Sequence, residues 1–279
     1  MSRLTLANSI VRLRGISKTF DNTIQALKDF NLVVKRNEFV SLVGPSGCGK
    51  STLLRIIAGL ITPSTGAVEV GFEERETGNI KTNSDFRVSF VFQDPALMPW
   101  ATVFENVWLP LRLRNISKRK ATPKVMEQLR KMGLDIFANS YPKELSGGAK
   151  MLVSIARALV TRPQLLLMDE PFGTLDEITR FEMNDQLLEL HTSGDGTVVF
   201  VTHSVYESVY LSNRIVVISS RPGRVVGEVK IDEHDLLNRG GFRDTPAYHD
   251  YCRRVSFNLR AAAKTNAQEK FKPEQVSLK

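Results

Sequence analysis

The sequence predicts an α/β fold with a parallel core sheet, preceded by an antiparallel β-subdomain and interrupted by an inserted helical subdomain. Three short segments predict this class. The stretch GPSGCGKST, residues 44–52, lies between the apolar run FVSLV and the helical pattern LLRIIAGL. Two further apolar runs, within residues 164–171 and 197–204, have the length and composition of buried parallel strands. Such strands, alternating with helical segments, indicate a sheet covered by helices.

The segments fit this architecture in chain order. Residues 10–40, which contain VRLRGI and FNLVVKRNEFV, predict the short strands of the antiparallel sheet. Residues 41–93 and 160–220 are expected to supply the parallel core with its helices. Residues 94–159 have a mostly helical pattern and are expected to form the helical subdomain. We therefore expect these segments to form one domain over residues 1–232.

The glycine-rich stretch has the phosphate-binding P-loop spacing, with Gly44 four residues before Gly49-Lys50-Ser51. Its glycines let main-chain N–H groups converge on a phosphate, and the following helix adds its positive N-terminal end. Lys50 is a point charge for the β- and γ-phosphates, and the Ser51 hydroxyl is a Mg²⁺ ligand. The predicted fold is therefore that of a P-loop NTPase with a RecA-like parallel core sheet. The motif alone does not separate kinases, GTPases, helicases and transporter ATPases.

The two other strand-like runs end in side chains that suit the same site. QLLLMDEP, residues 164–171, ends in Asp169, which can hold the Mg²⁺ shell, and in Glu170, which is placed to take a proton from water. TVVFVTHS, residues 197–204, ends in His203, which can orient that water. Because ligands of open α/β sheets bind at the carboxyl ends of the strands, we expect these groups beside the P-loop.

A second phosphate-cradling element is predicted far from the first. In LSGGAKMLVSIARALV, residues 145–160, Ser146 is a good helix N-cap, and the two glycines after it leave the amides of the first turn uncovered. One chain cannot easily bring both elements to the same phosphate, but a head-to-tail dimer can. The sequence therefore suggests two copies that face one nucleotide from opposite sides.

Together these segments resemble the ATP-binding subunit of ABC transporters, over most of residues 10–225. The Walker A motif matches GPSGCGKS and the signature motif matches LSGG, Leu145 to Gly148. The Walker B motif matches LLLMDE, which implies that Glu170 is the catalytic carboxylate. The order and spacing of these motifs agree with the family throughout.

The resemblance also implies roles for residues outside these motifs. The D-loop matches GTLD with Asp176, the Q-loop matches VFQDPALMPW with Gln93, and the adenine-stacking aromatic matches Phe20 in ISKTF. The implied nucleotide-binding residues are Phe20, Gly44, Pro45, Ser46, Gly47, Cys48, Gly49, Lys50, Ser51, Thr52, Ser146, Gly147, Gly148 and Asp176. The implied catalytic residues are Glu170, the switch histidine His203 and Gln93, and the implied Mg²⁺ ligands are Ser51, Gln93 and Asp169.

The sequence departs from the family pattern in two places. Ala149 stands where a glutamine commonly follows LSGG, and Leu152 stands where an arginine commonly precedes SIARAL. Ala149 removes a polar side chain near the nucleotide of the partner subunit, while the Ser146 and glycine amides remain. We expect ATPase activity to persist.

The segment after Gln93, DPALMPWATV, contains two prolines and the apolar residues Leu97, Met98 and Trp100. It is a poor helix and a poor strand. Two interpretations remain open. It is either an ordinary connecting loop whose tryptophan packs in the core, or the lining of a groove that receives a short permease helix, with Trp100 as the anchor.

The chain is expected to end in a C-terminal extension, residues 233–279, after a turn and strand in residues 220–232. Residues 245–264 predict a helix with Thr245 as its cap and Pro246 as its first residue. One face of this helix, formed by Tyr248, Cys252, Val255 and Leu259, is expected to pack on the core, which gives Cys252 a structural role. The last fifteen residues are polar and are expected to be disordered.

Composition sets broad limits on the partners. The 279 residues carry a formal net charge of +8, which permits nucleic acid, anionic lipid or phosphate ligands. The densest basic block, residues 112–131, holds eight Lys or Arg against one Glu. Because no aromatic residues interleave, we interpret it as a solvated helical face and expect no nucleic acid partner. Cys48 and Cys252 form neither a disulfide framework nor a metal-site spacing. No apolar run reaches the ~18 residues of a membrane span, so we expect a chain that does not cross a bilayer by itself.

Within the family, ALMPWATVFENVWLPL, DEPFGTLDEITR and SSRPGRV resemble the nitrate, sulfonate and taurine importer subfamily. Importers of thiamine-type pyrimidine precursors are similar. The resemblance implies an ATPase, with ATP and Mg²⁺ as cofactors, at the cytoplasmic face of the inner membrane. Its implied partners are a second ATP-binding subunit in a head-to-tail dimer, transmembrane permease subunits and, indirectly, a periplasmic solute-binding protein. The second subunit is either a copy of this chain or a near-identical paralogue.

Two other classes of function use the same motifs. A soluble ABC ATPase acting on ribosomes or nucleic acid is an alternative, but ribosome-acting members usually carry two ATP sites in one chain and DNA-repair members carry long coiled-coil insertions. This sequence has one such site and no such insertion. A regulatory nucleotide binder that does not hydrolyse ATP would not need Glu170 and His203.

Overall fold

The computed structural model describes residues 8–21, 23–74, 80–82, 86–192, 196–232, 235 and 239–270. The strands are β1 Ser9–Phe20, β2 Ile24–Lys35, β3 Phe39–Val43, β4 Thr65–Val70, β5 Phe72–Glu74, β6 Ile80–Thr82, β7 Val88–Val91, β8 Leu165–Asp169, β9 Thr197–Thr202, β10 Arg214–Ile218 and β11 Val225–Lys230. The helices are α1 Lys50–Ile57, α2 Val103–Arg112, α3 Lys118–Lys131, α4 Gly147–Leu159, α5 Glu177–Thr192, α6 Val205–Leu211, α7 Arg239–Phe242 and α8 Pro246–Lys270. Two 3₁₀ turns, Asp135–Phe137 and Pro142–Glu144, join α3 to α4.

The larger sheet carries the predicted site residues. Within the described residues it has six strands in the order β11-β10-β3-β9-β8-β7, and only the β10–β11 pair is antiparallel. Strands β3, β8 and β9 are buried along their whole length. Their runs of Val, Leu and Phe cover both faces of the sheet, as a parallel sheet between helices requires. The predicted parallel core sheet is confirmed.

The second sheet is antiparallel, and among the described strands its order is β2-β1-β4. The predicted boundaries between the antiparallel and the parallel segments are wrong in two places. Phe39 and Val40 belong to β3 of the core sheet, because the chain turns at residues 36–37 and crosses over. Thr65–Val70, predicted within the parallel core segment, pairs with β1 instead. This strand is exposed or half-exposed along its length, which does not suit a parallel sheet covered on both faces. The β5–β6 hairpin, in the same predicted segment, is antiparallel too.

Residues 94–159 are mostly helical, as predicted, and begin with a loop over residues 94–102. Thr102 ends this loop and caps α2. Its hydroxyl accepts a hydrogen bond from Glu105 N at 3.2 Å, while Glu105 Oε2 accepts one from Thr102 N at 3.1 Å. This reciprocal capping box satisfies two main-chain donors and fixes where the helix begins.

The helices of this segment share one apolar cluster with the core sheet. Val107 of α2, Val125 of α3 and Val153 of α4 are fully buried in the cluster that also contains Phe200 of β9. The eight basic residues of the block 112–131 are all exposed. Exposure suits a solvated face and a nucleic-acid patch alike, so the interpretation of that block as a solvated face stays a prediction.

The C-terminal helix α8 begins where the sequence predicted, with the Thr245 hydroxyl accepting a hydrogen bond from Tyr248 N at 3.2 Å. Its buried face, which includes Tyr248 and Cys252, packs against α6, β10 and β11. Cys252 is a buried free thiol, in agreement with a structural role. The helix continues to Lys270, so the prediction of disorder is wrong for residues 265–270. Residues 271–279 lie outside the described residues.

Asn106 holds the loop that precedes α2. Its side chain is fully buried, and Oδ1 accepts a hydrogen bond from Met98 N at 2.8 Å. Its Nδ2 lies 3.2 Å from Met98 O, 3.1 Å from Ala101 O and 3.0 Å from Thr102 O. A single amide therefore satisfies main-chain groups on both sides of Trp100, whose side chain is 76% exposed. The interpretation in which this tryptophan packs in the core is wrong.

We expect Asn106→Ala to lower the free energy of unfolding by about 2–3 kcal/mol, because it leaves buried main-chain groups of the loop without partners. Chemical denaturation of the purified protein measures this. Asn139→Ala, at an exposed position of the same helical segment, is the control and should change stability by less than about 0.5 kcal/mol. Equal stabilities of the two variants would contradict the role of Asn106.

Candidate active site

The phosphate loop, residues 44–49, joins β3 to α1 and folds around its own lysine. Lys50 is the first residue of α1 and is only 4% exposed. Its Nζ donates hydrogen bonds to Gly44 O at 2.8 Å and Pro45 O at 3.0 Å. These two carbonyls are turned toward the lysine, which leaves the loop's N–H groups free to face an anion.

Gly49 shows why the loop needs glycine. Its φ is +102°, and a β-carbon built there would lie 2.8 Å from Ala26 O and 2.9 Å from Leu27 Cδ2. Both the left-handed conformation and the close approach exclude a larger residue. Strand β2 of the antiparallel sheet thus presses directly on the phosphate loop.

The second strand end meets this loop through a hydrogen bond. Ser51 Oγ donates to Asp169 Oδ1 at 2.8 Å. Asp169 is 6% exposed, and burial raises the pKa of its carboxyl because the charged form loses its solvation. Hydroxyl and carboxylate oxygens are the hard ligands that Mg²⁺ takes, so this pair fits the predicted Mg²⁺ site.

Glu170 lies between a lysine and a histidine. Its Oε1 is 3.7 Å from Lys50 Nζ, and its Oε2 is 3.5 Å from His203 Nδ1. The residue has a φ of +47°, and its N–H donates to Val201 O of β9 at 2.9 Å. The turn after β8 thereby directs the carboxylate to the edge of the sheet where the phosphate loop lies.

The turn that carries His203 is fixed by residues on both sides of it. Thr202 Oγ1 donates to the buried carboxylate of Glu207 and accepts from Ser204 N at 2.9 Å. The Ser204 hydroxyl caps α6 by accepting from Glu207 N at 3.3 Å. Arg180 Nε lies 3.6 Å from Glu207 Oε1. Burial raises the pKa of the Glu207 carboxyl.

Glu207 was missed by the sequence analysis. Its signal was the Ser204-x-x-Glu207 spacing, which predicts a helix start, directly after His203. The spacing indicates the helix start but not the bond to Thr202, which depends on how β9 approaches α6.

The side chain of Gln93 lies near Glu170 and His203, beside Gly173. A β-carbon on Gly173 would lie 3.4 Å from Glu170 O, 3.7 Å from His203 Cε1 and 3.8 Å from Gln93 Nε2. The side chains of Gln93 and His203 therefore converge on one glycine, in the turn that follows Glu170. The structure brings together the predicted catalytic residues from three different segments of the chain.

The predicted signature element lies elsewhere and is open on one side. The Ser146 hydroxyl caps α4 by accepting from Ala149 N at 3.2 Å. Among the described residues, a β-carbon on Gly147 would meet nothing within 4 Å, and one on Gly148 would meet only Thr179 Cγ2, at 2.9 Å. The helix start is thus packed against α5 through Gly148, while Gly147 faces open space.

Asp176 caps the helix that supports this element. Its Oδ1 accepts from Thr179 N at 3.0 Å and its Oδ2 from Thr179 Oγ1 at 2.7 Å. These hydrogen bonds lower the pKa of the Asp176 carboxyl. Because Thr179 also contacts Gly148, the predicted D-loop and signature residues are joined within one chain.

Phe20 is the last residue of β1, and its ring centroid lies 5.1 Å from Lys18 Nζ. The sheet that contains β1 borders the phosphate loop through Leu27 of β2, next to Gly49. The contact described for the ring itself is with Lys18, so the adenine-stacking role of Phe20 stays a prediction.

Comparison with known proteins decides the family. The ABC transporter family matches residues 27–173. An uncharacterized ABC transporter ATP-binding protein of Methanocaldococcus jannaschii is 42% identical over 248 residues, which cover 88% of this chain and 89% of that protein. This chain belongs to the ABC transporter ATP-binding proteins.

Two more relatives of this ABC ATPase are informative. The aliphatic sulfonates import ATP-binding protein SsuB of Bacillus cereus is 42% identical over 218 residues, which cover 77% of the chain and 83% of that protein. A solved ATP-binding cassette, described as a dimer in a post-hydrolysis state bound to ADP and Pi, matches with a TM-score of 0.68 and 35% identity. The match covers 80% of this chain and 99% of the solved chain.

The predicted P-loop NTPase fold and ATPase activity are thereby confirmed. In the described part of the ATPase, no helix is both long and apolar enough to span a bilayer. The two departures from the family pattern fit their surroundings. Leu152 is buried in the apolar cluster shared with the core sheet, and Ala149 packs against that cluster while its N–H serves the Ser146 cap.

We expect Glu170→Gln to lower steady-state ATP hydrolysis at least ~100-fold, because it removes the proton acceptor while keeping the size of the side chain. ATP affinity, measured by nucleotide titration, should change little. Glu182→Gln, at an exposed carboxylate of α5, is the matched control and should hydrolyse ATP like the wild type. Turnover of Glu170→Gln near the wild-type rate would refute the assignment.

Phe20→Ala should weaken both ATP and GTP binding by about 1–3 kcal/mol, the usual contribution of stacking between a base and an aromatic ring. The two nucleotides should be affected alike, since stacking depends on the face of a base and not on its edge. Phe20→Tyr keeps the ring and should bind both normally. Unchanged nucleotide affinity in Phe20→Ala would make Phe20 a packing residue only.

Proposed function

We propose that this ATPase powers an importer of a small solute of the sulfonate, nitrate or taurine class. The convergence of Lys50, Glu170 and His203 at one edge of the sheet carries the ATPase part of the proposal. The solute class is supported by the aliphatic sulfonate import relative and by the three importer-like sequence segments. Import of another small solute, such as a pyrimidine precursor, would use the same chemistry in this chain.

The phosphate loop and Lys50 would hold the phosphates of ATP. The loop offers main-chain N–H groups, and α1 adds the positive end of its dipole. Mg²⁺ held by Ser51 and Asp169, with Gln93 nearby, would neutralise charge on the β- and γ-phosphates. We assign Thr52 and the loop residues 44–49 to nucleotide binding on the same grounds.

Glu170 would accept a proton from the attacking water. Its position between Lys50 and His203 keeps the carboxylate close to a positive charge and to a hydrogen-bonding ring. His203 would orient the water and contact the γ-phosphate, held in place by Thr202 and Glu207. Gln93, at the start of a loop that leads away from the site, would respond to the presence of the γ-phosphate.

The site would be completed by a second copy of the chain. At the helix start, residues 146–148, Gly148 packs against Thr179 while Gly147 faces open space. In a head-to-tail dimer, this element and the Asp176 segment of one copy would face the phosphate loop of the other. The solved relative described as a dimer with ADP and Pi supports this arrangement.

Trp100 would pass the response of the Gln93 loop to the γ-phosphate on to the permease. The loop that carries it is tied to α2 by Asn106 and to α4 by Arg157, whose guanidinium donates to Pro95 O at 2.7 Å and Ala96 O at 2.9 Å. The loop is therefore stiff, while its tryptophan is exposed. This combination suits an anchor for a permease helix, at the cytoplasmic face of the membrane.

Transport measurements test the function. The chain, purified together with its permease and placed in proteoliposomes with the solute-binding protein, should hydrolyse ATP faster when an aliphatic sulfonate is supplied, and should accumulate the sulfonate inside. Nitrate, taurine and a hydroxymethylpyrimidine, tested separately, identify the solute. Copurification with nucleic acid or ribosomes in place of membrane proteins would overturn the proposal.

We expect Trp100→Ala to reduce permease binding by ~2 kcal/mol or more while leaving the melting temperature and the isolated ATPase unchanged, because the ring is 76% exposed. Phe257→Ala, at a 73% exposed aromatic residue of α8, is the control and should bind permease normally. Full copurification of Trp100→Ala with the permease would remove Trp100 from the coupling surface.

A further inference from the structure

The turn between β10 and β11, residues 219–224, is built against the phosphate loop. Gly223 N donates to Ala26 O at 2.9 Å, and Lys28 N donates to Gly223 O at 3.1 Å. A β-carbon on Gly223 would lie 2.2 Å from Cys48 O, so the turn passes directly over the loop. The turn and strand β2 therefore enclose the loop from neighbouring sides.

The turn is also held internally. The Ser219 hydroxyl accepts from Arg224 N at 3.0 Å and donates to Pro222 O at 3.1 Å, while Ser219 N donates to Arg224 O at 2.9 Å. Three hydrogen bonds thus close a turn of six residues. The main chain of this turn is therefore held in a defined position relative to the phosphate loop, and so is the α-carbon of each of its side chains.

Arg221 reaches from this turn to the loop. Its Nε donates to Gly47 O at 3.2 Å, and its Nη2 would lie 3.5 Å from a β-carbon on Gly47. Gly47 has a φ of +73°. The contact therefore falls on a loop residue whose backbone is left-handed, as that of Gly49 is, and which directly precedes Cys48.

The carbonyls of the loop matter because a carbonyl oxygen repels a phosphate. Lys50 donates hydrogen bonds to the carbonyls of Gly44 and Pro45. The Cys48 carbonyl lies against Gly223. The Gly47 carbonyl accepts a hydrogen bond from Arg221. Three loop carbonyls thus accept hydrogen bonds from side chains, and a fourth lies against Gly223.

The direction of the Gly47 carbonyl also sets the direction of an amide. In a trans peptide unit the C=O and the following N–H point to opposite sides. Arg221, by holding Gly47 O on its own side, turns Cys48 N–H into the loop. There it makes only a long hydrogen bond, 3.4 Å, to Pro45 O, and such a bond is readily exchanged for one to a phosphate.

We propose that Arg221 is a positioning residue for nucleotide binding, which acts through Gly47 to keep the loop amides directed at the phosphates. This inference concerns the ATPase step and is independent of the solute proposed above. Arg221 is exposed, and in this role it works from the outer side of the loop and not by touching the nucleotide.

The test compares Arg221→Ala with Arg221→Lys in the full chain. Because the loop encloses phosphates common to ATP and ADP, Arg221→Ala should raise KM for ATP and Kd for ADP by the same factor, about five-fold. The kcat at saturating ATP should stay within about two-fold, since Glu170 and His203 are untouched. Arg221→Lys can still donate to the carbonyl and should recover most of the loss.

Arg224→Ala is the matched control. It removes the same charge from the same turn, in which the contacts described for Arg224 involve its main chain, and it should leave KM and kcat unchanged. Three outcomes would overturn the proposal. They are an unchanged KM in Arg221→Ala, a loss of ATP affinity with normal ADP affinity, which indicates direct contact with the γ-phosphate, and an equal loss in Arg224→Ala, which indicates a general effect of charge.

Discussion

The need to stabilise one buried positive charge shapes the centre of this molecule. Lys50 is almost fully enclosed, and a buried ammonium group is costly unless charges or dipoles surround it. Two loop carbonyls and the Glu170 carboxylate meet that need from within the chain. The loop must therefore curl back on its lysine. This curl requires the glycines, and it places Lys50 beside the carboxylate that follows β8.

Much of this could be predicted from sequence because it is encoded locally. The spacing from Gly44 to Ser51 indicates the phosphate loop, and the apolar runs before Asp169 and His203 have the length and composition of buried strands. Parallel strands then present their carboxyl ends at one edge. The meeting of Ser51 with Asp169 and of Glu170 with His203 follows from these facts together.

What could not be predicted depends on contacts between distant segments. Residues 65–70 have no local signal that separates pairing with β1 from pairing in the core sheet. Arg221 lies 174 residues from its carbonyl partner, and no spacing rule connects them. The bond from Thr202 to Glu207 and the contact of Thr179 with Gly148 depend on how helices pack after the strands are placed. The helix beyond residue 264 continues through polar sequence, which composition alone assigned to disorder.

The buried cysteine of the phosphate loop makes the loop's motion chemically visible. Cys48 is 1% exposed, and burial raises the pKa of its thiol despite the nearby lysine. The thiolate is the reactive form, so an alkylating reagent meets neither an accessible nor an ionised sulfur while the loop is closed. Cys252, the other cysteine of the sequence, is also buried, and the pKa of its thiol is raised to about 11. Alkylation of Cys48 therefore requires the loop to open. Its rate measures how often this happens, without a label having to be introduced into the chain.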